Sequence, residues 1–332
     1  MDENRQGFLF QCLRGAGQVF FMENALTGLL FLVAIAYASF AGGDWATTIG
    51  ALVGLVVATL TARLLECDEA SITSGLFGFN GILIGIAMPT FITASPELWF
   101  YVIVGAAMST VVTAAMGATI TKSWGIPGST GPFVLTGWLL LAGAYAFGAL
   151  DIASEQPKLV SDYVQGAEMI PSSVELVQIF FRNIGQVFLL GNEISGVIIL
   201  VGILIASRPA GIAAVLGSLI AMIAAIVLRA DPSSVSQGLF GFSAVLTAMA
   251  IGVVFLKTSP KVIAYALMAT IVTVFLQGAY DVLMSPLGLP SFTAPYVLTL
   301  YLFIVPKKLL APHPHKRVRE HLVGKAADAP AK

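Results

Sequence analysis

The sequence predicts an all-α polytopic membrane protein whose two halves cross the bilayer in opposite orientations. Three observations carry that prediction. Of 332 residues, 57% are hydrophobic and only 11% charged, where a soluble domain carries about a quarter charged residues. Apolar stretches near the roughly 20 residues that one crossing needs recur along the chain. Three motifs occur twice, in the same order.

The elements follow in chain order. Segment 1–16 reads as amphipathic and interfacial. It is not read as a signal peptide, because its early charges are mixed and no small-residue cleavage site follows a short apolar core. A short apolar entry at 8–22 leads into a first repeat, 17–150, with candidate spans near 24–41, 46–65, 76–94, 98–120 and 131–150. The polar stretch 151–174 links the halves and holds a single basic residue, Lys158. The second repeat, 175–306, has an entry at 175–190 and candidate spans near 193–207, 210–229, 238–256, 262–284 and 292–306. Glycines, prolines and polar breaks make some of these half-spans or continuations. The tail 307–332 is basic, with Lys307, Lys308, Lys316, Arg317, Arg319 and Lys325. Excess Lys and Arg mark the cytoplasmic side, so the tail is placed inside and the linker outside. Arg5 and Arg14 lean the N-terminus inside too. Each half then crosses an odd number of times, and two similar halves must run in opposite directions. Such inverted repeats are common among transporters.

"GLFGFNGILIG" at Gly75–Gly85 returns as "GLFGFSAVLTA" at Gly238–Ala248, and "GIPGSTGPF" at 125–133 returns as "GLPSFTAPY" at 288–296, both 163 residues on. "GQVF" at Gly17–Phe20 returns at Gly185–Phe188, and Asn24 and Gly28 return as Asn192 and Gly196, 168 residues on. Ordered self-similarity of this kind marks duplication. Glycine in a membrane segment permits close backbone approach, or marks irregular backbone, tolerated only where it is buried in protein or lines a wet cavity. Phe79 with Leu83, and Phe242 with Leu246, share a helix face if these segments are helical. The bland alternative is simple helix packing. In Gly-x-Pro-x-x-Thr-x-Pro, proline starts a helix within the membrane. Thr130 and Thr293 then sit near helix starts, as plain caps or as hydroxyls that donate and accept at a positive dipole end. Gln18 and Gln186 place amides in apolar runs, bonded between helices or facing a watery vestibule. Asn24 and Asn192 read as structural, capping helices or linking the halves.

What the composition excludes is as useful. Net charge is −1, which does not suggest nucleic acid. All three histidines (His313, His315, His321) lie in the tail, against a haem, a zinc site or a histidine proton relay in the membrane body. No cofactor is expected. Cys12 and Cys67 lack metal or redox spacing. Arg63, Glu66, Asp68, Glu69, Arg229 and Asp231 cluster at the ends of apolar runs, with Glu23, Glu175, Glu193 and Arg182 as possible mouth residues. The doubled core motifs hold no charge, where ion pathways normally keep one. A small, neutral, polar solute is the expected cargo, and no catalytic residues are expected.

From Gly17 to Phe303 the chain resembles the urea transporter family, bacterial type. The resemblance rests on "GQVFFMENALTGLL", "GLFGFNGILIG" and the Pro-x-x-Thr-x-Pro segment, each present twice in order. It implies two inverted halves, each of about five spanning helices and one tilted re-entrant pore helix. It also implies homotrimers with a pore in each subunit, in the plasma membrane (a bacterial inner membrane), with both termini cytoplasmic. Urea would pass passively, as through a channel, between two narrow slots with a polar step between them. By the resemblance Phe21, Phe79 and Leu83 wall one slot; Leu189, Phe242 and Leu246 wall the other. Gln18 and Gln186 stand at the slot entrances; some members carry an acid at one of these places, and the glutamine there makes that mouth less attractive to cations in this chain. Thr130 and Thr293 form the central step.

Urea's chemistry suits such a path. Stripping an amide of water without replacement costs several kcal/mol. A flat slot meets both faces of a planar molecule by dispersion and N–H···π contact. Carbonyls accept from its amino groups, and a threonine donates to its oxygen. The alternatives are a channel for another small neutral solute (a short-chain amide, ammonia or water), or a non-transporting membrane sensor. An intramembrane enzyme lacks a paired acid, histidine or cysteine in the core.

Overall fold

The computed structural model describes residues 7–153, 157–162 and 169–306, and these are all-helical without a β-strand. The basic tail lies outside the described residues, as do residues 1–6 and parts of the linker. The first half runs α1 (Phe8–Gln18), α2 (Ala25–Ala41), α3 (Ala46–Leu64), α4 (Glu69–Thr73), α5 (Gly78–Phe91), α6 (Pro96–Trp124) and α7 (Gly131–Ala144). The second runs α8 (Ser173–Gly185), α9 (Glu193–Ala206), α10 (Arg208–Val227), α11 (Pro232–Ser236), α12 (Phe242–Val254), α13 (Pro260–Met284) and α14 (Ala294–Ile304). Each helix of the first half has its counterpart seven places on.

The starts of these helices explain themselves. Asn24 and Asn192 accept from the amides of Thr27 and Ser195, each at 3.0 Å. Asp68 and Asp231 cap α4 and α11, accepting from Ser71 and Ser234 at 2.8 Å. Ser95 and Ser259 cap α6 and α13 just before a proline, the residue best suited to a first helical turn. Two of the charges that sequence places at the bilayer surface, Asp68 and Asp231, therefore also build helix ends.

Length separates two kinds of helix. Among the described residues α3, α6, α10 and α13 are long and apolar enough to span, and the pair Ser173–Phe188 and Glu193–Ala206 would make a fifth despite a 72° bend. The stretches near 76–94, 131–150, 238–256 and 292–306 yield shorter helices instead. A 14-residue helix such as α5 or α7 reaches about 21 Å, short of a hydrocarbon core of roughly 30 Å. The cause lies in the motifs: glycine turns precede α5 and α12, and proline segments precede α7 and α14. At Gly75 and Gly238 φ is 84° and 82°, a left-handed turn that favours glycine.

Two wide turns mark where the halves drift out of step. The stretch from Phe242 to Ser259 is one residue longer than Phe79 to Ser95, and α12 ends in a π-helical turn, Ala250–Val254. The stretch from Ser95 to Gly125 is one residue longer than Ser259 to Gly288, and α6 carries a π-helical turn, Gly117–Thr121. A π-turn takes up an extra residue without breaking the helix.

The halves meet through equivalent surfaces. Thr27 donates to the Gly202 carbonyl and Ser195 to the Ala34 carbonyl, both at 2.8 Å. Under the 168-residue offset these two contacts are one contact made twice. Residue numbers rise along α2 as they fall along α9, so the two equivalent helices pack antiparallel. Phe20, Phe31 and Phe188 close the seam, with ring centroids 5.3–5.8 Å apart. Each such pair is worth about 0.5–1.5 kcal/mol beyond the area it buries. Within the first half, α3 and α5 touch backbone to backbone: a Cβ on Gly85 would stand 1.9 Å from the Gly50 carbonyl oxygen. The glycines of "GLFGFNGILIG" thus serve close packing.

Candidate functional site

The two proline segments converge on one point. The Thr293 hydroxyl donates to the Thr130 hydroxyl at 2.7 Å, and both residues are 2% exposed. Each threonine holds the N-cap position, of α7 or α14, yet neither side chain caps its own helix. The plain-cap reading is thereby excluded. One hydroxyl proton is used between them, leaving the Thr130 proton and lone pairs on both oxygens. Two helices, α7 and α14, start at this spot, and the positive ends of their dipoles disfavour cations there.

The surroundings are paired about the threonines. Ser129 and Tyr296 share a hydroxyl hydrogen bond of 2.6 Å. Their counterparts, Phe292 and Phe133, pack with centroids 4.7 Å apart and rings tilted by 57°. Trp138 donates from Nε1 to the Pro290 carbonyl at 2.8 Å. Ser129 and Phe292 hold φ of 48° and 47°, and Phe21 and Leu189 hold 64° and 57°. Such left-handed backbone in non-glycine residues is sparsely populated and gathers at functional sites. Asn80 pins the first loop: its Nδ2 donates to the Ser129 carbonyl at 3.3 Å, and its Oδ1 accepts from the Phe133 amide at 3.2 Å.

The remaining candidates fall in two groups. Phe79, Leu83, Phe242 and Leu246 are buried on α5 and α12. Gln18 donates to the Ser74 carbonyl and Gln186 to the Gln237 carbonyl, each at 2.9 Å, tying the end of each entry helix to a glycine turn. Phe21 lies against Phe255 and Tyr296, at 5.8 and 6.2 Å between centroids, both rings of the other half. Its counterpart Leu189 instead lines a cavity of about 480 Å³ with Ser39, Asp44, Thr47, Pro89 and Asn192. The smaller side chain leaves the two ends unlike. Arg182 pairs with Glu193 at 3.1 Å and also donates to the Ser236 carbonyl.

Sequence reasoning passed over Ser129, Tyr296, Phe133, Phe292 and Asn80, although all lie inside the doubled motifs. It also passed over Asp281, a carboxylate inside an apolar run, which accepts from Gln277 at 2.9 Å. An acid four residues after a glutamine on one helix was the available signal.

A family model described as "Urea transporter" matches residues 9–308. Urea transporter 1 of Capra hircus is 31% identical over 310 residues, covering 90% of this chain and 77% of the relative. Urea transporter 1 of Ovis aries is 30% identical over 308 residues, and that of Mus musculus 31% over 304, with the same coverage. A match spanning nearly the whole helical body, on a chain whose helices fit a membrane, fixes the kind of protein: the chain belongs to the urea transporter family, a family of transporters rather than enzymes.

Proposed function

We propose that this chain carries urea passively through a pore between its two halves. The observation that carries the reading is the Thr130–Thr293 hydroxyl pair, buried where two helix starts meet, its hydroxyls bonded to each other rather than to their own helices. Urea would pass the aromatic–aliphatic slot of Phe21, Phe79 and Leu83, and exchange water for the threonine hydroxyls. It would leave through the slot of Leu189, Phe242 and Leu246. Gln18 and Gln186 stand at the entrances. The reciprocal contacts and the antiparallel α2–α9 pair support an inverted repeat with its axis in the membrane plane. In this reading both termini are cytoplasmic, the membrane is a bacterial inner membrane, and three copies assemble with one pore each.

The test is urea efflux from proteoliposomes, followed by stopped-flow light scattering, with formamide, glycerol and water alongside. Fast, gradient-driven urea flux that excludes glycerol supports the pore. Properly assembled protein that passes glycerol as fast as urea, or passes no urea, removes it.

A further inference from the structure

The two loops that carry the central threonines are held by different chemistry, and the difference points to a buried ligand. In the first half the Asn80 carboxamide bonds Thr113 Oγ1 at 3.2 Å, the Ser129 carbonyl and the Phe133 amide. The counterparts are Ser243, Gln277, Phe292 and Tyr296, with Gln277 shifted by the one-residue drift described above. Serine's hydroxyl lies one bond closer to the backbone than asparagine's carboxamide atoms and cannot reach so far.

The second half leaves polar atoms unpaired there. Ser243 Oγ and Gln277 Oε1 have no hydrogen-bond partner among the described residues, although the side chains are 0% and 1% exposed. Their residues sit at matching levels of two neighbouring helices. Thr247 and Thr273 bond across α12 and α13 at 2.9 Å. Ser243 lies one turn before Thr247, and Gln277 one turn after Thr273, on two helices packed antiparallel, since Gly252 lies near Ala266 and Gly278 near Phe240. The amide of Gln277 cannot simply turn over. Its Nε2 donates to Ser291 Oγ at 2.7 Å and to Asp281 Oδ1 at 2.9 Å, and the Ser291 hydroxyl bonds the same carboxylate. With nitrogen committed to two acceptors, Oε1 is directed away from Asp281. The Tyr296 amide is among the first-turn donors that a helix leaves without an internal acceptor.

We infer that a bound water molecule occupies in the second half the place that the Asn80 carboxamide takes in the first. It donates to Gln277 Oε1 and the Phe292 carbonyl, and accepts from Ser243 or the Tyr296 amide. That is about three bonds, the usual number for a buried water. A cation such as ammonium fits worse, because the Tyr296 N–H needs an acceptor. The site stands whatever solute the pore carries. It holds the Phe292–Thr293 backbone as Asn80 holds Ser129–Thr130.

The test is a structure of the full chain in lipid at a resolution that shows waters. A peak within hydrogen-bond distance of both Ser243 Oγ and Gln277 Oε1 supports the site, and a direct Ser243–Gln277 bond with nothing between overturns it. Two variants test it independently. Ser243→Asn supplies the carboxamide and raises Tm by a few degrees; an unchanged or lower Tm counts against the site. Gln277→Leu lowers Tm, and adding Ser243→Asn restores part of the loss, since asparagine reaches the loop without Gln277 but does not replace the Gln277 bonds to Ser291 and Asp281. If Gln277→Leu alone does not fold, recovery of folded protein in the double variant reads the same way. Failure of the second change to raise Tm or recover folding overturns the proposal.

Discussion

Thr130→Val is the sharpest probe of the central step. Valine nearly keeps the shape of threonine and removes one hydroxyl from a site 2% exposed. Two losses follow. The 2.7 Å bond from Thr293 disappears, leaving a buried donor unsatisfied at a cost of about 1–3 kcal/mol in stability. Urea in transit also loses one partner, a net effect of about 0.5–1.5 kcal/mol on a hydrogen bond. If the central step limits flux, that barrier change slows urea roughly 2- to 12-fold. Thr293→Val acts on the same pair, so the double variant should cost less stability than the two singles added together. Stopped-flow urea efflux measures the rate, and thermal unfolding in detergent checks assembly. Wild-type flux in both single variants, with intact assembly, would refute the central role of these hydroxyls.

Other perturbations read the slots and the packing. Phe79→Ala and Phe242→Ala should widen a slot and raise formamide and methylurea flux relative to urea; unchanged ratios remove these rings from the path. Each also costs about 3–5 kcal/mol as a core truncation, so flux is normalised to assembled protein. Leu189→Phe should lower urea permeability several-fold by placing a ring where the cavity stands; Phe21 shows that this left-handed backbone accepts phenylalanine. No loss of flux would show that the cavity is off the path. Gly85→Ala drives a Cβ to within 1.9 Å of the Gly50 carbonyl oxygen, an overpacking at or above the usual cost of about 1–3 kcal/mol. A Tm equal to wild type would mean that α3 and α5 separate without penalty.

Much of the fold was legible because duplication wrote it twice. Composition alone implied spanning helices, and paired glycine and proline motifs located the short ones. Two features escaped for physical reasons. Helix length was overestimated near 76–94 and 238–256, because hydropathy does not register that a left-handed glycine at 75 or 238 starts a new chain direction. Asp281 escaped because hydropathy averages it with the apolar residues around it, and its hydrogen bond to Ser291 closes only in three dimensions. Thr130 and Thr293 were found as residue types at a helix start. That they bond each other, 163 residues apart, depends on the contact between halves, which periodicity does not encode.

Like middle and unlike ends have a common origin, and it yields a last test. Thr130 and Thr293 are each other's counterpart and touch, so a change in one alters the partner's environment. Away from that contact Phe21 and Leu189 face different neighbours, Phe255 on one side and a cavity on the other, and nothing keeps them alike. The pore in this reading is asymmetric in shape but has no energy source. An unlike pair of mouths then changes the height of barriers, not the net drive, because with equal concentrations on both sides every forward crossing is matched by a reverse one. At low urea the permeability measured inward must equal that measured outward in vesicles with uniformly oriented protein. Differences are confined to high concentration, where the two mouths saturate differently. A ratio away from one at low urea would demand coupling to a second gradient, and the passive reading would fall.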